Sequence, residues 1–262
     1  MMKDTIIKEI KRIEQEKDVT ILFACESGSR AWGFPSKDSD YDVRFIYVHR
    51  PEWYLSIDEG RDVIELPIDD LLDINGWDIR KALKLFRKSN PPLQEWLRSD
   101  IIYYERYSFA EKLKGLSPRV FSPISCTYHY LSMARGNYRE FLQGDQVKIK
   151  KYFYVLRPIL ACQWIEKHHT MPPILFQDLV KDLVPKGHLY DEIHNLLERK
   201  MEGDELDFEP RIDVINEYIE TQIEHIDQFV KGIQFNQDDP TEQLNKLFRD
   251  TLHEVYQFSS NP

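Results

Sequence analysis

Cysteine is scarce and odd in number: Cys25, Cys126 and Cys162 are the three in 262 residues. Such a set builds neither a disulfide framework nor a C-x-x-C metal knuckle, and the reducing cytosol is the compartment expected. Long apolar runs are missing too. No stretch approaches the roughly 20 residues that a bilayer requires, and the opening MMKDTIIKEIKRIEQEKD is amphipathic with no signal-peptide core. A cytoplasmic protein is expected, neither membrane-bound nor exported by that route. Absent as well are a G-x-x-x-x-G-K-[ST] run, a G-x-S-x-G elbow and an H-E-x-x-H pair, so P-loop, serine-hydrolase and zincin chemistry lack their starting residues. The eight histidines are scattered, and a zinc enzyme is not expected.

What remains is ample material for a core: 42% hydrophobic and 13% aromatic residues, enough for one large core or two small ones. The formal charge is −10, yet residues 202–262 carry 15 Asp/Glu against 4 Lys/Arg. The acidity belongs to the last quarter, and the rest of the chain does not repel a phosphate-rich ligand.

Periodicity divides the chain. Ile6, Ile7, Ile10 and Ile13 stand at helical spacing over 4–16, Val19 to Cys25 reads as a buried strand, and Tyr41 to Val48 as another by its β-branched and aromatic content. Between them Ser36 to Asp40 reads as a turn. Asp62 to Leu66 and Leu71 to Ile74 are shorter strand candidates; Gly76-Trp77 then turns the chain into a helix over Trp77 to Arg87, and Asn90-Pro-Pro precedes a short helix over Leu93 to Leu97. After Ser117-Pro118 strand signals almost vanish and helices are expected at roughly 123–142, 146–168, 186–200, 211–235 and 241–257. An α+β class follows: a mixed-sheet domain over 1–116 and an all-helical domain over 117–262.

The chemistry concentrates between the first two strands. Gly28-Ser29 follows a buried strand, and Asp40-Tyr41-Asp42 opens the next. Side chains alternate along a strand, so Asp40 and Asp42 point to one side, and neither is cheaply buried without a cation. By itself Ser-Asp-Ser-Asp is an ordinary turn sequence; behind a strand and a Gly-Ser loop, two parallel carboxylates suggest Mg²⁺, which suits oxygen ligands and shares itself with substrate phosphates. Gly28 would admit a phosphate close to the backbone, and Ser29 would supply donors at a helix start. A two-metal site needs a third carboxylate. Asp73, in Leu71-Leu-Asp-Ile, is the first choice, with Glu65 and Asp62 as substitutes.

The stretch ESGSRAWGFPSKDSDYDVRFIYV resembles the DNA polymerase β-type nucleotidyltransferases, and more narrowly the predicted nucleotidyltransferases of the RlaP or YcgL-like family. LDINGWDIRKALKLFRKSNPPLQEWLRS, HYLSMARGNYREFL and VKIKKYFYVLRPILACQWIE are similar to that family's further blocks, so the resemblance spans most of residues 19–180. The superfamily pattern of Gly-Ser, Asp-x-Asp and one later strand acid falls on Gly28-Ser29, Asp40, Asp42 and, by block position, Asp73. The resemblance implies a polymerase β-like catalytic domain, two Mg²⁺ ions, and transfer of an NMP from an NTP, ATP foremost. It also implies a part in RNA repair. An RNA end ranks first as acceptor and a protein hydroxyl second, with a small-molecule hydroxyl open; no RNA- or DNA-binding motif speaks independently. A non-catalytic nucleotide-binding regulator is the reading from another class, and the intact carboxylates argue against it.

Other residues carry paired readings. Lys148, Lys151 and Tyr152 share a face of the helix expected over 146–168, where they would hold phosphates and stack on a base, or form a solvated face over a core tyrosine; the family's helical domain, placed across the nucleotide, favours the former. Arg30 and Trp32 would touch phosphate or base, Trp32 more often packing. Arg44 falls on the carboxylate side and would orient Asp42 or form a structural ion pair. His129, Arg135 and Arg139 lie on the helix after Pro123, and His168-His169 read as a helix C-terminal cap.

Overall fold

The computed structural model describes residues 2–36, 39–67, 71–203, 206–235 and 239–257. Lys37 and Asp38 of the expected Ser36–Asp40 turn lie outside them. The chain forms two compact units, one of Met1–Ala31, Asp40–Val120 and Gln237–Pro262, the other of Trp32–Ser39 and Phe121–Asn236.

In the first unit α1 (Met2–Lys17) buries Ile6, Ile10 and Ile13, as their spacing requires. β1 (Val19–Glu26) follows, then a single turn, α2 (Gly28–Ala31), β2 (Tyr41–His49), the short α3 (Pro51–Tyr54), β3 (Val63–Glu65), β4 (Leu72–Asp78), α4 (Ile79–Arg87), α5 (Pro91–Leu97), β5 (Ile102–Glu105) and α6 (Phe109–Val120). The five strands lie in the order β3-β4-β2-β1-β5. β2 and β4 are parallel, and the other neighbours are antiparallel, so the sheet is mixed. β1 is apolar almost without interruption because both its faces are covered: Ile21 and Ala24 join the cluster of α1, whereas Leu22, Phe23 and Cys25 join that of α4, α5 and α6. β4 instead alternates buried with half-buried residues, the period-two signature of a strand with one face less covered. That half-covered face carries Asp73.

β4 continues through Gly76 and Trp77 to Asp78, so the helix start expected at Gly76-Trp77 is corrected. Gly76 lies under Phe45, whose ring a Cβ would meet at 2.1 Å, so this glycine serves close packing between strands and not a turn. The helix begins one residue after Asp78, whose side chain accepts the Arg80 N–H at 2.8 Å as an N-cap.

The second unit holds α7 (Pro123–Phe141), β6 (Gln146–Lys148), α8 (Lys151–His168), α9 (Phe176–Leu183), α10 (His188–Glu202), β7 (Phe208–Pro210) and α11 (Asp213–Gly232). β6 and β7 pair antiparallel. α8 is buried on nearly all sides, the central helix of its unit. Phe34 stacks on Phe153 at 5.0 Å and meets Phe176 edge-on, which ties residues 32–39 to this unit. No helix among the described residues is long and apolar enough to cross a membrane.

The last helix, α12 (Thr241–Tyr256), belongs to the first unit. Leu244 and Leu247 enter the cluster of Leu22, Phe23, Ile79 and Phe86, Tyr256 Oη donates to the Val48 carbonyl at 3.2 Å, and Glu254 accepts the Ser108 N–H at 2.9 Å. The expected division into 1–116 and 117–262 is corrected accordingly. The main boundary falls after Val120, Trp32–Ser39 belongs with the helical unit, and α12 belongs with the sheet unit. Helical periodicity states that α12 has an apolar stripe; it does not state which core receives it.

Leu247→Ala should destabilise the sheet unit by about 2–5 kcal/mol, read by chemical denaturation, whereas Gln243→Ala on the solvated side of α12 should stay within about 0.5 kcal/mol. Equal small effects would contradict the docking of α12.

Candidate active site

β1 ends in Glu26, a charged residue with no solvent exposure. Its Oε1 accepts the backbone N–H of Asp42 at 2.7 Å, and its Oε2 accepts the hydroxyl of Tyr103. Burial pushes the Glu26 carboxyl above its usual range, against the pull of those hydrogen bonds. Ser27 donates its N–H to the Asp42 carbonyl at 2.8 Å, so both backbone groups of Asp42 are held by the end of β1.

Gly28 then takes φ +60°, a conformation that costs glycine little. A Cβ there would lie 2.0 Å from Asp42 Oδ2. The sequence expectation is that this glycine admits a phosphate; in the structure it is the Asp42 carboxylate that occupies the space a side chain would fill. α2 is one turn long and Ser29 is buried, so the helix-dipole contribution expected behind Gly28-Ser29 reduces to a few backbone N–H groups.

Across the sheet, Asp42 on β2 is the register partner of Asp73 on the parallel strand β4, and opposed residues of parallel strands present side chains on one face. Between the two carboxylates lies Arg44. Its Nη2 donates to Asp73 Oδ2 at 2.7 Å and to Asp42 Oδ1 at 3.1 Å, and its Nη1 to the Asp73 carbonyl at 3.0 Å. The three side chains are half-buried. The Asp42 carboxyl is raised above its usual range, first by burial and then by the charges of Asp73 and Asp40, while Arg44 pulls it back. Such mutual opposition of carboxylates is the electrostatic mark of a place that favours a cation.

Of the acidic trio expected from sequence, the structure brings Asp42 and Asp73 together. Asp40 precedes β2 and stands close enough to raise Asp42, but among the described residues no three His, Cys, Asp or Glu side chains are grouped to hold a metal ion. Glu65 is paired with Arg61 at 2.5 Å and Asp62 with Lys81 at 3.0 Å; of the three acids, Asp73 is the register partner of Asp42. Arg30 donates to the Asp40 carbonyl at 3.1 Å and lies 3.7 Å from the centroid of the Tyr41 ring.

The residues expected to grip phosphates from the helical unit fare differently. Lys148 lies in β6, not on the helix of Lys151, so the shared helical face does not exist. Lys151 opens α8 with its ammonium 4.1 Å from the Phe141 ring centroid, and burial lowers its pKa. Tyr152 is fully buried; its hydroxyl accepts the Ile212 N–H at 2.9 Å and donates to Asn216. The stacking role expected for Tyr152 is corrected to a core role. Trp32 lies against Arg157 within the helical unit. Arg135 pairs with Asp227 at 2.7 Å, and His129 meets Tyr130 edge-on. His169 caps α8 in the left-handed conformation, and His168 bonds Asp182 at 2.7 Å. Sequence reading missed Glu26 and Tyr103. A carboxylate closing an otherwise apolar strand, directly before Gly28-Ser29, was the available signal.

A family model described as RlaP, the RNA repair pathway DNA polymerase beta family, matches residues 2–250. An uncharacterized protein of Bacillus subtilis (strain 168), YcgL, is 59% identical over 255 residues, 97% of this chain and 98% of that protein. A nucleotidyltransferase-like protein of known structure from Exiguobacterium sibiricum 255-15 is similar over 95% of this chain and 80% of its own, at 12% identity and a TM-score of 0.32.

Because the folded Asp42 carboxyl is raised above its ordinary 3.8, the native state there binds protons more readily than the unfolded chain. Its contribution therefore becomes less favourable as pH climbs from 3.8 through the raised value. Asp42→Asn lacks that loss, so its stability relative to the native sequence should improve as pH rises from 3.8 through the raised value and level off above it, measured by urea unfolding across pH. A pH-independent difference would contradict the electrostatic account.

Proposed function

The chain belongs to the RlaP family, the RNA repair pathway DNA polymerase beta family, and from that premise we propose that it is a Mg²⁺-dependent nucleotidyltransferase moving an NMP from an NTP, ATP foremost, to the hydroxyl of an RNA end. The observation that carries this reading is the side-by-side placement of Asp42 and Asp73 on parallel strands, directly beside the Gly28 turn.

The donor chemistry fits the ion. Mg²⁺ is commonly held by one or two carboxylates, with substrate phosphate oxygens and water completing its shell, and Asp42 with Asp73 supplies two. Asp40, two residues before Asp42, would be the donor for a second ion. When bound, the ions polarise the phosphates and neutralise charge on the attacking and leaving oxygens. In the transfer the acceptor oxygen bonds to the α-phosphorus, the bond from that phosphorus to the bridging oxygen of the β-phosphate breaks, and pyrophosphate leaves. Asp73 is assigned the hydroxyl proton.

The remaining roles belong to positioning. Glu26 and Ser27 fix the backbone of Asp42, so its carboxylate needs little reorganisation. Arg44 partly neutralises the pair and is the cation that an incoming ion would replace at the carboxylate oxygens. Gly28-Ser29 and Arg30 remain candidates for the triphosphate by position next to Asp42, and Lys148 and Lys151 by charge alone.

With α-labelled ATP, Mg²⁺ and RNA, the native chain should label RNA; Asp42→Asn and Asp73→Asn should each lower kcat by about 10²-fold or more while far-UV dichroism is unchanged. Label on protein alone would move the acceptor to a protein hydroxyl. No label on either would overturn the transferase reading.

A further inference from the structure

Beyond the β4 end that carries Asp73, the sheet unit has a concave surface. It lies between α4 and α12, beside the far end of the same strand, roughly 17 Å along β4 by strand rise. The groove encloses about 560 Å³. Its floor is aliphatic and aromatic: Leu83, Leu244, Phe248 and Leu252. Four cations line it, Arg80, Lys84, Arg87 and Arg249, and no carboxylate is among the described lining residues. In a chain of net charge −10 that is a local reversal of sign.

The cations are ordered. Arg80, Lys84 and Arg87 follow one another at helical spacings of four and three, one stripe along α4, and Arg249 stands on α12. Arg80 already lies over the Tyr54 and Trp53 rings, and Arg87 stands near enough to Asp239 to help lower its carboxyl. Arg80 and Lys84 each reach Glu59 only at 3.9 Å, and Arg87 donates to the Thr241 hydroxyl at 3.0 Å. At the groove's edge Leu55 is 83% exposed, and Ile57, two residues on, is fully exposed. Adjoining apolar surface left to water beside a groove is a mark of an interaction site.

We propose that this groove docks an acidic amphipathic helix of a partner protein. Its apolar stripe would lie on Leu83, Phe248 and Leu252, and its carboxylates would face the α4 stripe and Arg249. Two demands are met at once: Leu55 and the half-buried Phe248 and Leu252 take aliphatic cover, and the rim needs negative charge, the complement presented by a helix with apolar anchors at every third and fourth position. A nucleic acid strand meets only the second demand. It would need open aromatic faces for its bases, and those nearby are taken: Arg80 lies over Tyr54 at 4.9 Å, and Trp53 is stacked on His49 at 4.1 Å with Gly60 packed against its ring. The inference is independent of the transferase reading, since it uses no residue of the Asp42 site.

The test uses the full chain and fluorescein-labelled peptides of about 16 residues, long enough to sustain a helix. One carries leucines at helical spacing flanked by glutamates, one has lysines in place of the glutamates, and one scrambles the first. A uridine oligonucleotide of similar length is the competitor. Saturable anisotropy with the acidic helix, weakening with salt, is expected. Lys84→Glu with Arg249→Glu, two exposed positions, should lower that affinity about tenfold or more and transfer the preference to the lysine peptide, a gain that an unfolded variant would not show. Absence of saturable binding, equal binding of the scrambled peptide, an unaltered preference in the reversed variant, or stronger occupation of the groove by the oligonucleotide would each overturn the proposal.

Discussion

The placement of one residue, Asp42, organises the candidate site. Its N–H is taken by Glu26, its carbonyl by Ser27, one carboxylate oxygen by Arg44, and the other fills the space that a Cβ on Gly28 would need. Each contact comes from a different stretch of chain: the end of β1, the turn after it, β2 itself and, through Arg44, β4. The pieces are therefore mutually dependent. A side chain at Gly28 displaces Asp42, and loss of the buried Glu26 carboxylate frees the β2 entry that aims it. Buried polar groups of this kind are costly unless satisfied, and here each hydrogen bond that satisfies Glu26 also fixes its neighbour.

The sheet topology explains why two acids can share a cation at all. Antiparallel neighbours of β2 would bring opposite chain ends together, whereas the parallel pairing of β2 with β4 sets Asp42 opposite Asp73 near the start of both strands. The half-covered face of β4 leaves these carboxylates reachable by water and ligand. At the other end of β4, Asp78 is buried and spent on capping α4. One strand thus carries a half-buried acid at its entrance and a buried acid spent on architecture at its exit.

Much of this was legible. The apolar run from Val19 to Cys25, the β-branched run from Tyr41 to Val48 and the helical spacing of Ile6, Ile10 and Ile13 reported elements whose residues contact one layer or two, and periodicity measures that directly. Asp42 and Asp73 were legible because acids at the mouths of otherwise apolar strands need a reason. What stayed hidden depends on partners distant in sequence. Gly76 read as a turn because nothing local announces the Phe45 ring above it. Lys148 read as helical because the short β6 exists only through pairing with β7, some sixty residues later. Tyr152 carried the same letters whether its hydroxyl met a ligand or Asn216, and the docking of α12 on the sheet unit rests on matching one apolar stripe to one of two cores.

Arg44 is where these levels meet. Two carboxylates held side by side at half burial repel, and the Asp42 carboxyl is raised first by burial and then by that repulsion; a guanidinium bonded to both offsets it without filling every oxygen. The bridge leaves Asp42 Oδ2 and Asp73 Oδ1 outside the Arg44 bonds. On the proposed reading, Asp42 and Asp73 would hold the ion, and Arg44, released from them, would find its bonding partners in the phosphate oxygens of the nucleotide. The same side chain lets the fold keep two acids together, bonded as it is to both carboxylates.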